Sequence, residues 1–527
     1  MRLTLSSLLL VLCSFSTLAA DADLNSNLHY YYPVPAANPP QTIELDVCAY
    51  GGSPGGVTAA IQAKRMGKTS ALFVFNKHVG GLTSGGLTAT DVGNAKSIGG
   101  MAHEFYTRVG KLRDFLPSTA ENTFRAMLKD ADVQVYYEHR LKSVKKDGNT
   151  ITEIEFENGN KVKAKIFVDA TYEGDLFAMA GISFHVGREP NSQYNETING
   201  VQFHTGHNFV HPTDPYKIEG DPKSGLLWGI TDDPPGQMGE GNKQLQAYNF
   251  RMILTNAPDR LPFPKPGDYD PTWYALLARY LKTPDAKGKT PAFIQLHMGD
   301  CNNEGAFSSD FIGGNYRWPE AGYDEREKIF QQHVKYQQGL MYFVSHDESI
   351  AKEVRDHVNQ WGLNPNEFPD THGWPHQLYI REGRRMISDY VMTQNNCQSK
   401  IIAEDSVGLG SYNMDSHNCR RIVVDGHVRN EGDVQIGSPH PYPIAYRSIV
   451  PKEAECANLM VPVCLSSSHI SYGSIRMEPV FMILGQSAAT AAVFAIDDKC
   501  SVQKVSYAKL HDRLIADKQI IEWDATK

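Results

Sequence analysis

After its first twenty residues this 527-residue chain has no further long apolar stretch, no block of like charge, no CxxC pair and no His/Cys spacing that would hold a metal. Each absence excludes something. Without a second long apolar run there is no permanent bilayer anchor, and the chain reads as soluble. The net charge of −9 is spread over 51 basic and 60 acidic residues, which argues against nucleic acid and anionic membrane as partners. Without a close cysteine pair there is no redox-active disulfide, and no metal is expected. Cysteine is scarce: apart from Cys13 it stands only at 48, 301, 397, 419, 456, 464 and 500. An odd number leaves at least one thiol free, and an oxidising compartment would permit one or two disulfides among the others. Cys48, inside an apolar run, reads as an inert buried residue. Short-period repeats and low-complexity segments are also missing.

What is present begins with the form of a secretory leader. Arg2 supplies a positive start, Leu8 to Phe15 an apolar core, and Thr17-Leu18-Ala19-Ala20 a small-residue cleavage site. This leader predicts a secreted or periplasmic protein. No twin-Arg pair precedes the core, so any cofactor would be acquired after export. Asn195-Glu196-Thr197 is a glycosylation sequon.

The most informative stretch follows. The apolar run Leu45-Asp46-Val47-Cys48-Ala49-Tyr50 leads into Gly51-Gly52-Ser53-Pro54-Gly55-Gly56 and then an Ala-rich helical segment ending at Met66-Gly67. Strand, tight glycine turn and helix form the context of a dinucleotide-binding turn. The glycines let backbone approach a pyrophosphate, and the helix N-terminus offers it N–H groups and positive dipole. Ala59, Ala60 and Ala63 are small enough for close packing on a sheet. Ser53 stands where the usual pattern has glycine. A second strand, Ser70 to Phe75, precedes a second glycine cluster, Lys77-His78-Val79-Gly80-Gly81-Leu82-Thr83-Ser84-Gly85-Gly86. That order is typical of flavin enzymes with two dinucleotide-binding turns. The acidic residue expected at the end of this strand, to hold an adenosine ribose, is absent. Phe75 and Asn76 occupy its place, and Asn76 offers only a neutral hydrogen-bonding group.

Further strands are expected at 133–137, 151–156 and 165–171, where apolar and polar residues alternate or run together between turns. Residues 185–300 are rich in Gly, Pro, Asp and Asn and read as a loop-rich insertion. Residues 322–360 read as helical, and 376–395 as a strand edge entering a helix that carries Arg381-Glu382-Gly383-Arg384-Arg385. A strand at 458–464, a glycine turn near Tyr472-Gly473 and a small-residue helix from Val480 to Ile496 return to the opening theme. The C-terminus is therefore expected to fold back onto the N-terminal dinucleotide domain.

Taken together, these segments resemble the FAD-dependent oxidoreductase family with a glutathione-reductase-type FAD domain, whose secreted members sometimes carry the label "xanthan lyase". The resemblance runs over about 43–500 and rests on the two glycine clusters and on several other segments. These are Ala89-Thr90-Asp91-Val92-Gly93-Asn94, Val168 to Asp175, Arg381 to Arg385, Gly410 to Asn418, Tyr446 to Lys452, and Tyr472 to Pro479 with Gly485-Gln486. It implies an α/β fold: a ββα three-layer FAD/NAD(P)-binding domain built from both chain ends, with an inserted α+β substrate domain. The expected divisions are a signal peptide at 1–20, an extended Tyr/Pro-rich arm at 21–42, the first part of the FAD domain at 43–184, the inserted substrate or cap domain at 185–440, and the second part with a tail at 441–527.

The resemblance also implies the cofactor contacts. The FAD pyrophosphate would sit on Gly51, Gly52, Ser53, Gly55 and Gly56 and on the amides near Gly80 and Gly81, with Asn76, His78, Thr83 and Gly85 in the same set. Val135 would meet adenine, Ala170 and Thr171 would line a second contact, and Ser474-Ile475-Arg476 would approach the isoalloxazine. The Arg476 charge would stabilise the reduced ring. At His78 the alternatives are a structural cap and a histidyl–flavin bond.

Oxidation of an alcohol by hydride transfer needs a base for the hydroxyl proton. His417, with Asp415 to orient it, and His469 are the candidates, each against a purely structural role. Arg384 is a candidate substrate clamp, while Arg381 reads as structural; both would equally serve as a solvated face or as ion pairs fixing the insert. The expected function is a secreted FAD-dependent oxidoreductase acting on a hydroxyl of a polar, carbohydrate-derived substrate and passing electrons to a protein, a quinone or oxygen. The alternatives are a polysaccharide lyase or hydrolase with a structural FAD, and a ligand-binding flavoprotein without turnover.

Overall fold

The structure is a computed structural model and describes residues 27–524. The leader at 1–20 and the first residues of the arm lie outside the described residues.

The opening strand β1 (Thr42–Tyr50) runs to Gly51, turns, and enters α1 (Pro54–Arg65). The turn is set by local chemistry. Ser53 is the N-cap, its hydroxyl 3.4 Å from the Gly56 N–H, and Pro54 occupies the first helical position, where a missing N–H costs nothing. Gly51 has φ +114°, and a Cβ there would lie 2.5 Å from the Ala170 backbone, so only glycine fits. β2 (Ser70–Phe73) returns parallel to β1.

The main sheet has the order β3 (Gln134–Tyr136), β2, β1, β6 (Lys161–Asp169), β5 (Thr150–Phe156), β4 (Leu141–Asp147). Strands β3, β2, β1 and β6 are parallel, and β4–β5 form an antiparallel hairpin on the far edge. One edge of β6 is shared. Its N-terminal half pairs with β5 through Val162 and Lys161, and its C-terminal end pairs with Leu459–Met460 through Phe167 and Val168. The tail of the chain thereby enters the sheet, as the returning pattern at 458–496 leads one to expect.

The helix Glu478–Asp498 then crosses α1 at backbone contact. A Cβ at Gly485 would come 2.1 Å from the Gly55 carbonyl oxygen. Among the described residues this is the one helix long and apolar enough to cross a membrane, and 89% of its apolar window is buried inside the protein, so it is a core helix.

The remainder carries small sheets, Ile253–Thr255 with Gly299–Asp300 and Gly362–Leu363, and the hairpin Arg420–Val424/His427–Glu431, flanked in the chain by the antiparallel pair Met414–Ser416/Val434–Ile436. The helical reading of 322–360 is met by helices Tyr323–His346 and Lys352–Val358.

Two readings are corrected. Arg381–Arg385 is not on a helix. It is an extended buried segment whose last residue pairs with His185, and a Cβ on Gly383 would meet the Tyr172 carbonyl at 2.9 Å. Its arginines are paired there with carboxylates distant in sequence, Arg381 with Asp310, Arg384 with Asp175 and Arg385 with Glu189. Gly473 is not in a turn but inside the helix His469–Ile475, where it allows that helix to touch the Asp415 backbone; a Cβ would sit 2.3 Å from the Asp415 carbonyl. All seven cysteines of the described residues are unpaired, and six are buried.

Candidate flavin site and adjoining charge cluster

A cavity of about 560 Å³ opens at the N-terminal end of α1, within the roughly 300–1,000 Å³ of small-molecule sites. Of the cofactor candidates, Gly51, Gly52, Ser53, Asn76, His78, Gly81, Ala170 and Thr171 line it. Gly80 stands just behind, its N–H donating to the Gly52 carbonyl at 2.7 Å and so joining the two glycine clusters. Gly55 and Gly56 are inside α1, packed on the Phe481 and Gly51 carbonyls. Thr83, in the short helix α2 (Gly81–Ser84), donates its N–H and hydroxyl to Glu478 at 3.0 and 2.7 Å, and Gly85 packs on Gln377. Val135 pairs with Leu72 and faces a separate concavity with Arg125 and Tyr137.

The residues present fit a dinucleotide. The helix terminus, its serine cap and a backbone that excludes any Cβ at Gly51 are what a pyrophosphate requires. His78 adds a cation to the wall. Its ring nitrogens lie 3.3 Å from Glu121 and Asp370, and although burial opposes its charge, these carboxylates raise its pKa to about 9. Both nitrogens are thus engaged, which favours a cap over a bond to flavin. Asn76 spends its side-chain oxygen on the His78 N–H at 3.0 Å.

On the inner side, Tyr172 reaches over Gly81, accepts from the Leu82 N–H at 3.0 Å and donates to Glu478 at 2.9 Å. Burial, partly offset by these donors, brings Glu478 up to about 7. Glu173 and Asp175 also line the cavity. Asp175 is held by two nitrogens of Arg326 at 2.6 and 2.8 Å and by Arg384 at 2.7 Å. Arg384 therefore acts on the cavity through Asp175 and is itself buried.

Ser474, Ile475 and Arg476 stand in a second, adjoining cluster. Arg476 donates to Asp415 at 2.8 Å and to the Tyr379 hydroxyl at 3.2 Å, and Ser474 donates to the Tyr412 carbonyl at 2.6 Å. Asp415 lies 3.5 Å from Nε2 of His417. Nδ1 of His417 lies 2.6 Å from Asp310, which also accepts from Arg381 at 2.8 Å. Burial and the Arg381 charge push the His417 pKa down, and the carboxylates of Asp310 and Asp415 more than offset them, so it is raised. The same contacts hold both carboxylates well below the usual range despite their burial. Nearby Asp91 is raised by burial, partly opposed by Arg251.

His469 backs this cluster, joined to it through Ser416 and through Glu382, whose partner Gln246 also meets His417 and Arg476. Its Nδ1 meets Glu382 at 2.7 Å and its Nε2 meets the Ser416 hydroxyl at 3.1 Å, while Glu382 and Glu189 flank Arg385; it is 2% exposed and knits the core. The sequence reading did not single out Asp310, Arg251 or the N-terminal residues His29, Tyr30 and Tyr32, which line the cavity. Asp91 lies in the Ala89–Asn94 segment that carries the family resemblance, whereas nothing local in the sequence marks Asp310.

The family model described as FAD dependent oxidoreductase matches residues 46–514. No curated protein matches the chain. Solved structures resemble parts of it. Among them are an oxidized steroid monooxygenase bound to NADP (18% identity, TM-score 0.22, 25% of this chain and 26% of that one) and the bacillithiol disulfide reductase Bdr (YpdA) from Staphylococcus aureus (18%, 0.20, 25% and 38%). Thermovibrio ammonificans THI4 is similar at 18% identity and TM-score 0.22, over 28% of this chain and 66% of that one. The shared region thus spans about a quarter to two fifths of the first two neighbours' own length.

Proposed function

The chain belongs to the FAD dependent oxidoreductase family, and from that premise we propose that it oxidises a hydroxyl of a polar, carbohydrate-derived substrate outside the cytoplasm. The observation that carries the proposal is His417. Its Nδ1 is held by Asp310 at 2.6 Å and its Nε2 side faces Asp415, beside Arg476 and Tyr379. An imidazole fixed on one nitrogen by a carboxylate keeps its proton there and presents the other nitrogen as a base.

FAD, when bound, supplies the two-electron acceptor for the hydride from the carbinol carbon. The rest falls to this chain's residues. His417 takes the hydroxyl proton at Nε2, so that the C–OH becomes C=O with both electrons leaving in the hydride. Asp310 keeps the imidazole oriented and stabilises its positive charge, and Arg381 holds Asp310 in place. Arg476 fixes Asp415, which with Asp91 gives the cluster carboxylates able to accept hydrogen bonds from sugar hydroxyls. Half-buried Tyr412, beside Asp91 and Asp415, adds an aromatic face, whereas the buried Tyr379 ring already carries the Arg381 guanidinium at 4.4 Å. The extracellular setting rests on the leader-like residues 1–20.

The test is anaerobic addition of a panel of sugars, uronic acids and polyols to the purified FAD-loaded protein. Loss of the visible flavin absorbance with one of them supports hydroxyl oxidation and identifies the substrate class. A flavin that dithionite reduces but no member of the panel does overturns it.

A further inference from the structure

We propose that the N-terminal arm is part of the cofactor site: Tyr30, laid on Phe75, forms the outer wall of the dinucleotide cavity and governs how fast FAD leaves it. The inference rests on the cavity being the FAD site and not on which substrate is oxidised.

Phe75 stands where a carboxylate would hold the adenosine ribose, and the chain covers that position with its own aromatic residues. The Tyr30 ring stacks on Phe75 with centroids 4.8 Å apart and planes at 26°, and meets Trp318 edge-on at 4.7 Å. The Arg140 guanidinium lies 4.3 Å from the Tyr32 ring and 5.2 Å from that of Phe75, and also bonds the Tyr32 carbonyl. This end of the site is therefore built from aromatic surface and a delocalised cation instead of a negative charge. His29, Tyr30 and Tyr32 line the same cavity as Gly51–Ser53.

The arm is clamped from one helix turn. The N–H groups of Tyr30 and Tyr31 both donate to one carboxylate oxygen of Glu327 at 2.8 Å. The preceding residue, Arg326, binds Asp175 on the cavity wall and approaches the Tyr30 hydroxyl at 3.3 Å. The Tyr30 hydroxyl in turn donates to Glu173, another wall residue, at 3.3 Å. Further along the helix Gln331 donates to the Leu28 carbonyl at 2.8 Å, and Leu28 is 1% exposed. The arm and the inner wall thus share one anchor, so lifting the arm both opens the cavity and loosens Glu173 and Asp175.

The experiment measures FAD release from the holoenzyme by the rise in free-flavin fluorescence after dilution, for Glu327→Ala, Tyr30→Ala and the control Glu325→Ala on the same helix. Release faster by about tenfold or more in the first two, the effect of losing roughly 1.4 kcal/mol of arm attachment, with the control unchanged, supports the proposal. So does chymotryptic cutting at Tyr30–Tyr32 that slows when FAD is present. Unchanged release in Glu327→Ala, with a wild-type melting temperature, overturns it, and that variant alone decides should Tyr30→Ala not fold. No substrate enters the measurement, so an error in the substrate class leaves its outcome untouched.

Discussion

Asp310 engages two side chains at once: its carboxylate lies 2.6 Å from Nδ1 of His417 and accepts from Arg381 at 2.8 Å through its other oxygen. The three residues are separated by 71 and 36 positions in the chain, yet each is buried and none has a nearer partner of opposite charge among its sequence neighbours.

If His417 is the base, His417→Gln cuts substrate-driven flavin reduction by about 10²–10⁴-fold, the usual worth of a positioned general base. The absorbance of bound FAD is unchanged, because His417 is outside the cavity lining. Anaerobic stopped-flow measurement on wild type and variant decides it.

The pH dependence follows from the raised His417 pKa. A base works only when neutral, so kcat/KM falls on the acid side of a limb lying above the ordinary histidine value of about 6.5. Asp310→Asn removes an anion that favours the imidazolium, so the limb moves to lower pH and the plateau rate drops. A limb that stays in place would assign it to another group.

Gly51→Ala places a Cβ 2.5 Å from the Ala170 backbone at a φ of +114°. The turn must deform, and the variant is expected to purify with little flavin. Gly485→Ala instead drives α1 and the Glu478–Asp498 helix apart at the Gly55 carbonyl. It costs about 1–3 kcal/mol of stability, as overpacking generally does, read by urea titration.

Glu478 is held near 7 by burial. Its folded pKa lies above the unfolded value of about 4.3, so the folded state binds the proton more tightly. The stability this confers is full below the unfolded value and is lost as pH rises through about 7. Glu478→Gln has no such proton to lose, so the fall in melting temperature from pH 5 to pH 8 is smaller in the variant. A fall of equal size in both proteins would show that Glu478 is ionised throughout.

Arg326→Ala leaves Asp175 with Arg384 alone, whereas Arg384→Ala leaves the bidentate Arg326 pair intact. Arg326→Ala should therefore destabilise by about 3–5 kcal/mol, the cost of removing one partner of a buried ion pair, and Arg384→Ala by clearly less. A rise in substrate KM with unchanged stability in Arg384→Ala would instead make Arg384 the substrate clamp.

Much of the nucleotide-binding half was legible because its rules are local. Ser53 and Pro54 announce a helix start, Gly51 a backbone no other residue adopts, and the apolar runs at 45–50 and 70–75 the strands around it. The return of the tail was legible from the small residues around Gly485. The stretch Arg381–Arg385 misled for a physical reason. Three arginines and a glutamate at that spacing look like a solvated helix face, but Asp310, Asp175 and Glu189 lie far off in sequence and bury them in extended chain.

The sequence by itself determined the βαβ entry, its glycine turn and the presence of a histidine and aspartate near Gly410–Asn418, because backbone sterics, capping and hydrophobic periodicity act between residues a few positions apart. Only the tertiary structure decided which carboxylate holds His417, which cations neutralise Asp175, and that Tyr30 and Tyr32 of the arm line the cavity beside Phe75. Those pairings are set by the low dielectric of the interior. It requires every buried charge to find an opposite partner, and leaves to the fold which distant residue that will be.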